Sequence, residues 1–515
     1  MAFNPPYAPY DPTDKSGFSY ETVVKRWPII LTGIIDHLYS VNHELSTGSS
    51  TPDAQEKIEE AKAVIGKLGA LKYHMGRDHA LEKIPEDGES HADIYNTALD
   101  GLEKNGKNTW FTAPWLFAEY RLLRSYFSTT KHWKQFDPFY KQKLDTFKKS
   151  GDACYQLATT FTEFESEKDV LASDLEKLKV VFGEMVQMCL WGNATDLSLL
   201  THLSHDDIQK LQTVGKDAQA ARKEYLLRDD GDKAWEALKK GGDEGRVDFV
   251  LDNGECLFTD FVFADFLVTY TPYVKKVVFH PKMIPWFVSD VTPPDFAATV
   301  PALLDPSFFP DPSPALASSS SAPALPRLKE NLKKMVTRWQ SYMDSGVFAL
   351  SVSPDRKLGE GDEKADFWTG PWPYWEMKAK GQDVWELLKG SALVIFKGDL
   401  KLTGDIRWPA HTSFEEAIGP LVGSFPILSL RTNKADVVVG VDEEVARRLD
   451  ESGEKWRVNG KGSRAIGHSH LSSRTMYIVT LVLLFLQVVG GSSLGFFRTT
   501  PTNCSGLSIF SDVSS

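Results

Sequence analysis

Cysteine is scarce. The chain has four in 515 residues, Cys154, Cys189, Cys256 and Cys504. None stands in a C-x-x-C pair, so neither a zinc ribbon nor a disulfide framework is indicated, and a reducing compartment fits. Basic charge is not in excess either. The net charge is -12 and no Lys/Arg stripe is interleaved with aromatics, which argues against nucleic acid as a partner. The first twenty residues, MAFNPPYAPYDPTDKSGFSY, carry neither the basic stretch nor the apolar run of a secretory leader. The expected location is the cytoplasm, with the nucleus as a second. Long uncharged apolar runs are missing until residues 476–497, MYIVTLVLLFLQVVGGSSLGFF. That stretch is long enough for a marginal membrane span, but glycine and serine weaken its second half. A membrane anchor is therefore the lesser expectation.

What is present describes a soluble globular chain too long for a single ordinary core. Residues 1–20 are rich in proline and tyrosine and read as an extended arm wrapping a surface. From 21 to 240 the apolar positions fall at helical spacing, as in ETVVKRWPIILTGIIDHLYSVNHEL, and STPDAQEKIEEAKAVIG opens on a Ser-Thr-Pro cap signal. The texture changes in 241–461. RVDFVLDN, VKKVVFHPK, ALVIFKGDL and KADVVVGV are short β-branched runs separated by helical segments. That alternation predicts an α/β chain: a helical N-terminal lobe, then an α/β/α lobe of doubly wound, Rossmann-like kind with a mainly parallel sheet. Residues 310–326, PDPSPALASSSSAPALP, read as a Pro/Ser linker looping out of that lobe. Residues 462–515 form an atypical tail.

In open α/β sheets, ligands bind beyond the carboxyl ends of the strands. Four such ends carry polar groups. Asp252-Asn253 closes the run Val247–Leu251. Phe287-Val288-Ser289 leads into Asp290. LVIFKGDL ends on Lys397-Gly398-Asp399. Arg431, Thr432 and Lys434 stand just before the VVV of ADVVVG. Two carboxylates and an amide oxygen form a hard, all-oxygen donor set suited to Mg²⁺ or Mn²⁺ with positions left for water and substrate. Arg431 and Lys434 could neutralise a phosphate, and helix N-termini would add backbone donors. The same residues also have plainer readings: Asp-Asn as a turn or helix cap, Asp290 as a turn acid, Lys434 as a solvated lysine. The pairs His74/His79 and His468/His470 lack a clear third ligand. The aromatic cluster DFWTGPWPYWEM, 366–377, reads as packing, with sugar stacking as the alternative.

The segments LWGNATDLSLL (190–200), FVLDN (249–253), PWFVSDV (285–291), FKGDL and KLTGD (396–405) with Trp408, and LRTNKADV (430–437) occur in that order. Together they resemble the damage-control phosphatase family, also called the acidic-residue methyltransferase 1-like family, and RTNK is similar to its Arg-Thr-x-Lys subgroup. The resemblance covers residues 5–461. It implies the lobe arrangement above and metal-dependent hydrolysis of sugar phosphates such as fructose 1-phosphate and fructose 6-phosphate, supported by Mn²⁺, Co²⁺ or Ni²⁺. It implies metal binding by Asp252, Asn253 and Asp290, which would also be the catalytic set. It implies substrate contacts from Asp399 and Lys434, with Arg431 and Glu255 beside them and Asn193 and Asp196 nearby. An S-adenosylmethionine-dependent carboxyl methyltransferase is the alternative activity, although no Gly-rich adenosine-binding loop favours it.

Three departures stand against the resemblance. DNGECL is one residue shorter than the family's DNAGFEL, so the substrate-binding glutamate is either displaced to Glu255 or replaced by Cys256. KGDLKLTGD lacks the Asn-Tyr-Arg of KGDLNYRKLTGD, which raises the further alternative of an impaired member that only binds ligand. After WRVNGK the family's short apolar strand is replaced by GSRAIGHSHLSSRTMYIVTLV, which reads as an unspliced intron or an alternative terminus.

Overall fold

Runs of apolar residues that alternate between two covered faces form the sheet at the centre of the molecule. The computed structural model describes residues 3–48, 51–166, 168–192, 226–242, 245–312, 325–433, 435–459, 463–466 and 479–480. Its strands are β1 (Leu226–Asp229), β2 (Gly245–Val250), β3 (Val274–His280), β4 (Phe348–Leu350), β5 (Leu393–Lys397), β6 (Ile427–Thr432), β7 (Ser463–Ile466) and the two-residue β8 (Val479–Thr480). They lie in the order β1-β7-β6-β5-β2-β3-β4, with β8 beside β7. The five strands from β6 to β4 are all parallel, and β7 runs antiparallel to β6. The chain is an α/β protein with a helical N-terminal region. From β2 it moves to β3 and β4 on one side, then returns to β5 and β6 on the other, so direction switches between β2 and β5.

Burial on both faces follows from side-chain alternation. Val247 and Phe249 of β2, with Leu393 and Ile395 of β5, enter one core, while Val250, Val394 and Phe396 enter another. The first core is closed by helices Gly151–Ser166, Leu175–Gly192, Leu257–Tyr270 and Leu325–Asp344. Of these, Leu257–Tyr270 (LFTDFVFADFLVTY) is buried on almost every side, as an apolar sequence without a polar face requires. The second core holds Trp368, Trp408 and Phe414. Each large side chain removed from water in this way contributes about 1.5–3 kcal/mol. A third core ties helices Trp27–Gly48, Pro52–Gly76, Ser90–Lys104 and Trp115–Phe127 together, and it also takes in Ile284, Trp286 and Val288 from the loop after β3.

The cap signal is realised: Thr51 precedes Pro52 and its side chain accepts from the Ala54 N–H. The arm runs without regular structure to Gly17, bridges Pro9 to Ile406, and donates from the Tyr10 N–H to the Asp405 carbonyl at 2.7 Å. Two expected strands are corrected. KADVVVGV is not a strand; the ladder is one step earlier, in ILSLRT, so Arg431 and Thr432 end β6 rather than precede a strand. Val437, Val438 and Val439 are buried all the same: their β preference reflects a fit to packed surfaces, not a place in a ladder. PWFVSD is a loop. Phe287 and Val288 stand at φ +49° and +74°, which no strand tolerates and a β-branched residue rarely adopts.

Most of the linker at 310–326 and most of 476–497 lie outside the described residues. Leu325 and Pro326 already belong to a helix. No described helix is long and apolar enough to cross a membrane. The chain clusters as Met1–Leu484 and Phe485–Ser515; the second unit lies outside the described residues.

Candidate active site

The cleft opens at the switch between β2 and β5, where the carboxyl ends of parallel strands leave a crevice. It has about 680 Å³ of space, its mouth included, and its lining includes Asp252, Asn253, Asp290, Asp399 and Arg431. Five residues singled out from the sequence, spread over 179 positions from Asp252 to Arg431, therefore share one crevice.

Backbone pairing brings the first three together. The Val291 N–H donates to the Asp252 carbonyl at 2.6 Å, and the Gly254 N–H donates to the Ser289 carbonyl at 2.7 Å. An isolated antiparallel bridge thus joins Asn253 to Asp290. Ser289 Oγ donates to Asn253 Oδ1 at 2.7 Å. The left-handed backbone at Phe287 and Val288 turns Asp290 back onto the end of β2, and strain of about 1–3 kcal/mol per residue is held there by the packing of Trp286 and Val288 in the helical core. On the other side, Gly398 at φ +106° turns the chain at the end of β5. Asp399 is then met by Arg431 Nη1 at 3.0 Å from the end of β6.

Charge is concentrated here and poorly solvated. Burial pushes the Asp252 carboxyl up to about 7; Lys397 and Lys282 oppose this, and Asp260 and Asp290 add to it. Among the described residues, Asp252 Oδ1 is buried and accepts no hydrogen bond. Lys282 Nζ lies 3.2 Å from Asp290 Oδ2 and also donates to the Leu251 carbonyl. Beneath the cleft, Lys397 Nζ sits 2.7 Å from Asp260 Oδ1 and 3.0 Å from the Cys189 carbonyl. Burial works to remove its proton, but Asp260, Cys189 and Asp252 outweigh this and hold its pKa well above the ordinary value. Lys401 has no such support. Burial, with Lys282 adding, lowers it to about 7, and Asp405 opposes only in part. Its Nζ donates to the Trp368 carbonyl at 3.2 Å and to the Gly370 carbonyl.

A buried carboxylate oxygen without a partner, a second carboxylate across a two-residue ladder and an amide oxygen beside them fit a hard divalent cation. A second acidic group lies elsewhere: one ligand atom each from Asp53, Glu56 and His132 falls within 4.8 Å of the others. It is at the surface, and Lys131 Nζ already meets Glu56 at 2.6 Å. The cleft is the better candidate because its carboxylates are desolvated and one oxygen of Asp252 accepts no hydrogen bond among the described residues.

Glu255 is buried in the short 3₁₀ turn Gly254–Cys256 but does not line the cleft. Lys434, Asn193 and Asp196 lie outside the described residues. The sequence reading missed Lys282, Lys401 and Tyr374, all of which line the cleft. A lone lysine in an apolar context looks solvated until its burial is known. His74 and His79 have rings 4.9 Å apart in the helical region, away from these strand ends. His468 and His470 lie outside the described residues.

Residues 22–449 match the family described as the damage-control phosphatase ARMT1-like domain. The chain is 30% identical over 464 residues to "Damage-control phosphatase ARMT1" of Danio rerio, covering 87% of this chain and 94% of that protein. It is 31% identical over 482 residues to the protein of that name from Bos taurus, covering 88% and 97%. It is 28% identical over 470 residues to the one from Homo sapiens, covering 87% and 95%. With a family match over most of its length and relatives aligned nearly end to end, the chain belongs to the damage-control phosphatase ARMT1-like family.

Proposed function

We propose that the chain is a metal-dependent phosphomonoester hydrolase for small sugar phosphates of the fructose 1-phosphate and fructose 6-phosphate type, working in metabolite damage control. Family membership supports a phosphatase with a small-molecule substrate. The observation that carries the metal is that Asp252, which lines the same crevice as Asp290, keeps a buried oxygen that accepts no hydrogen bond among the described residues. Asp252, Asn253 and Asp290 would hold Mn²⁺, Co²⁺ or Ni²⁺, with Mg²⁺ also suited to the oxygen donors. A bound divalent ion supplies Lewis-acid polarisation of the phosphoryl group and orients water.

The remaining steps belong to the chain's own groups. Arg431, fixed by Asp399, would present N–H donors to the phosphoryl oxygens, with Lys434 screening charge as it develops. Lys282 would hold Asp290 in place. Lys397 beneath the cleft favours the ionised form of Asp252. Cys154, Cys189 and Cys256 are buried, and the setting proposed is cytoplasmic or nuclear.

A hydrolysis screen of each divalent metal against a panel of sugar phosphates tests the reading, run on the full chain and on Asp252→Ala. Phosphate release that needs metal and falls at least a hundredfold in the folded variant is the expected result. Turnover in the variant at the parent rate removes the assignment. Methyl transfer from S-adenosylmethionine without metal would select the alternative activity.

A further inference from the structure

We propose that the aromatic cavity beside the phosphate cleft is a leaving-group site, admitting phosphomonoesters whose leaving group carries a flat, apolar ring. This rests on the hydrolase reading above and adds a substrate class to it. The cavity has about 850 Å³ of space, its mouth included. Trp286 and Lys401 line both it and the cleft, so the two spaces meet across a shared wall.

Polarity divides their roles. The cleft is lined by Asp252, Asp290, Asp399, Arg431 and three lysines. Among the described residues, the charged ones lining the cavity are Lys401 and Asp405. Lys401 Nζ donates to two carbonyls; Asp405 Oδ1 accepts the Trp115 indole N–H at 2.6 Å, while its Oδ2 is buried and accepts no hydrogen bond among the described residues, so this acidic group offers a phosphate no cation. A phosphate dianion therefore belongs at the Arg431 end. The cavity instead offers prolines of the arm, Phe117, Trp372 and Trp375. Flat faces of this kind favour a ring, and aromatic contacts add about 0.5–1.5 kcal/mol to area burial.

The wall is built by the chain and is not a gap left by loose packing. Gly404 stands at φ +73°, and a Cβ there would lie 1.8 Å from the Trp375 ring. Only glycine lets Trp375 take this position. Phe3 packs edge-on against Trp375 with ring centroids 5.1 Å apart, and Pro5 and Pro9 complete the rim. The arm therefore forms part of the site. Lys401 sits over the Tyr374 and Trp286 rings, 5.2 and 5.9 Å from their centroids, in the wall that the two spaces share.

Ala98 and Leu102 line the cavity but not the cleft, so Ala98→Phe and Leu102→Phe fill it from the helix side. The probes are 1-naphthol, followed by quenching of tryptophan fluorescence, and 1-naphthyl phosphate against fructose 1-phosphate with Mn²⁺ on the full chain. Naphthol is expected to bind the parent and to bind either folded variant at least tenfold more weakly. The ratio of kcat/KM for naphthyl phosphate over fructose 1-phosphate should fall at least tenfold in both. Naphthol that binds parent and variants equally, or does not bind the parent, overturns the proposal. So does an unchanged ratio, which leaves the hydrolase reading standing. Naphthol binding lost on filling, with no ester hydrolysed under any metal, retains an aromatic cavity but overturns both its leaving-group role and the hydrolase reading.

Discussion

Two acidic groups in this molecule look alike as lists of ligands and differ in their physics. Asp53, Glu56 and His132 place ligand atoms close together on the helical surface. Water and Lys131 have already met their charge, and Glu56 is held below its ordinary pKa by the Lys131 contact first and His132 next. Asp252 and Asp290 come together at the mouth of the sheet, where burial raises Asp252 to about 7. On the function proposed above, proximity of ligand atoms does not mark the better site. A folded state that keeps a desolvated carboxylate is destabilised by it, and a cation that relieves the cost binds for that reason.

The largest expected effect separates the two groups by function. Asp290→Ala should lower metal-dependent phosphate release by about 10³-fold, roughly 4 kcal/mol of barrier, and abolish the rise in Tm on adding Mn²⁺. Glu56→Ala should keep both within a factor of two. A Mn²⁺ shift that survives Asp290→Ala and disappears in Glu56→Ala would reverse the comparison.

How far each site could be read from sequence follows the same division. β2, β3 and β5 were legible because their central residues are buried on both faces, which leaves short apolar runs, broken by Asp248 in β2 and preceded by the exposed Lys275 and Lys276 in β3, that end on polar groups. Asp252 and Asp399 came with them, whereas Arg431 reads from the sequence as preceding KADVVVGV and in fact ends β6. Asp290 was legible as a residue but not as a place: its loop owes its form to pairing with Asn253, 37 positions away, and to positive φ at Phe287 and Val288, neither of which has a local signal. KADVVVGV misled because valine packs equally well off a ladder. Lys282 and Lys401 were missed because a lysine's chemistry depends on its burial, which the sequence does not state.

A smaller effect tests whether the cleft wall is as dry as it looks. Lys401 has a folded pKa of about 7 against 10.5 in an open chain. Below pH 7 the folded protein carries the buried ammonium and bears its full cost. Between 7 and 10.5 the unfolded chain binds more protons, so rising pH favours the folded state and the cost fades. Lys401→Met should therefore be more stable than the parent by roughly 2–4 kcal/mol at pH 6, with the gap closing toward pH 10. A gap independent of pH in denaturant titrations would mean that water reaches Nζ.

The smallest effect sharpens the comparison most. If Asp252 is held at a cost, removing its charge without changing its shape should help the metal-free fold. Asp252→Asn is expected to raise unfolding free energy by about 1–3 kcal/mol at pH 8 in chelator, while Glu56→Gln should leave the denaturation midpoint essentially where it is, as exposed pairs do. Adding Mn²⁺ should invert the order at the cleft, since the parent gains ligand stabilisation and the Asn variant lacks the charge that attracts the ion. A metal-free Asp252→Asn protein less stable than its parent would mean that the carboxylate is already matched, and the distinction between the two acidic groups would be lost.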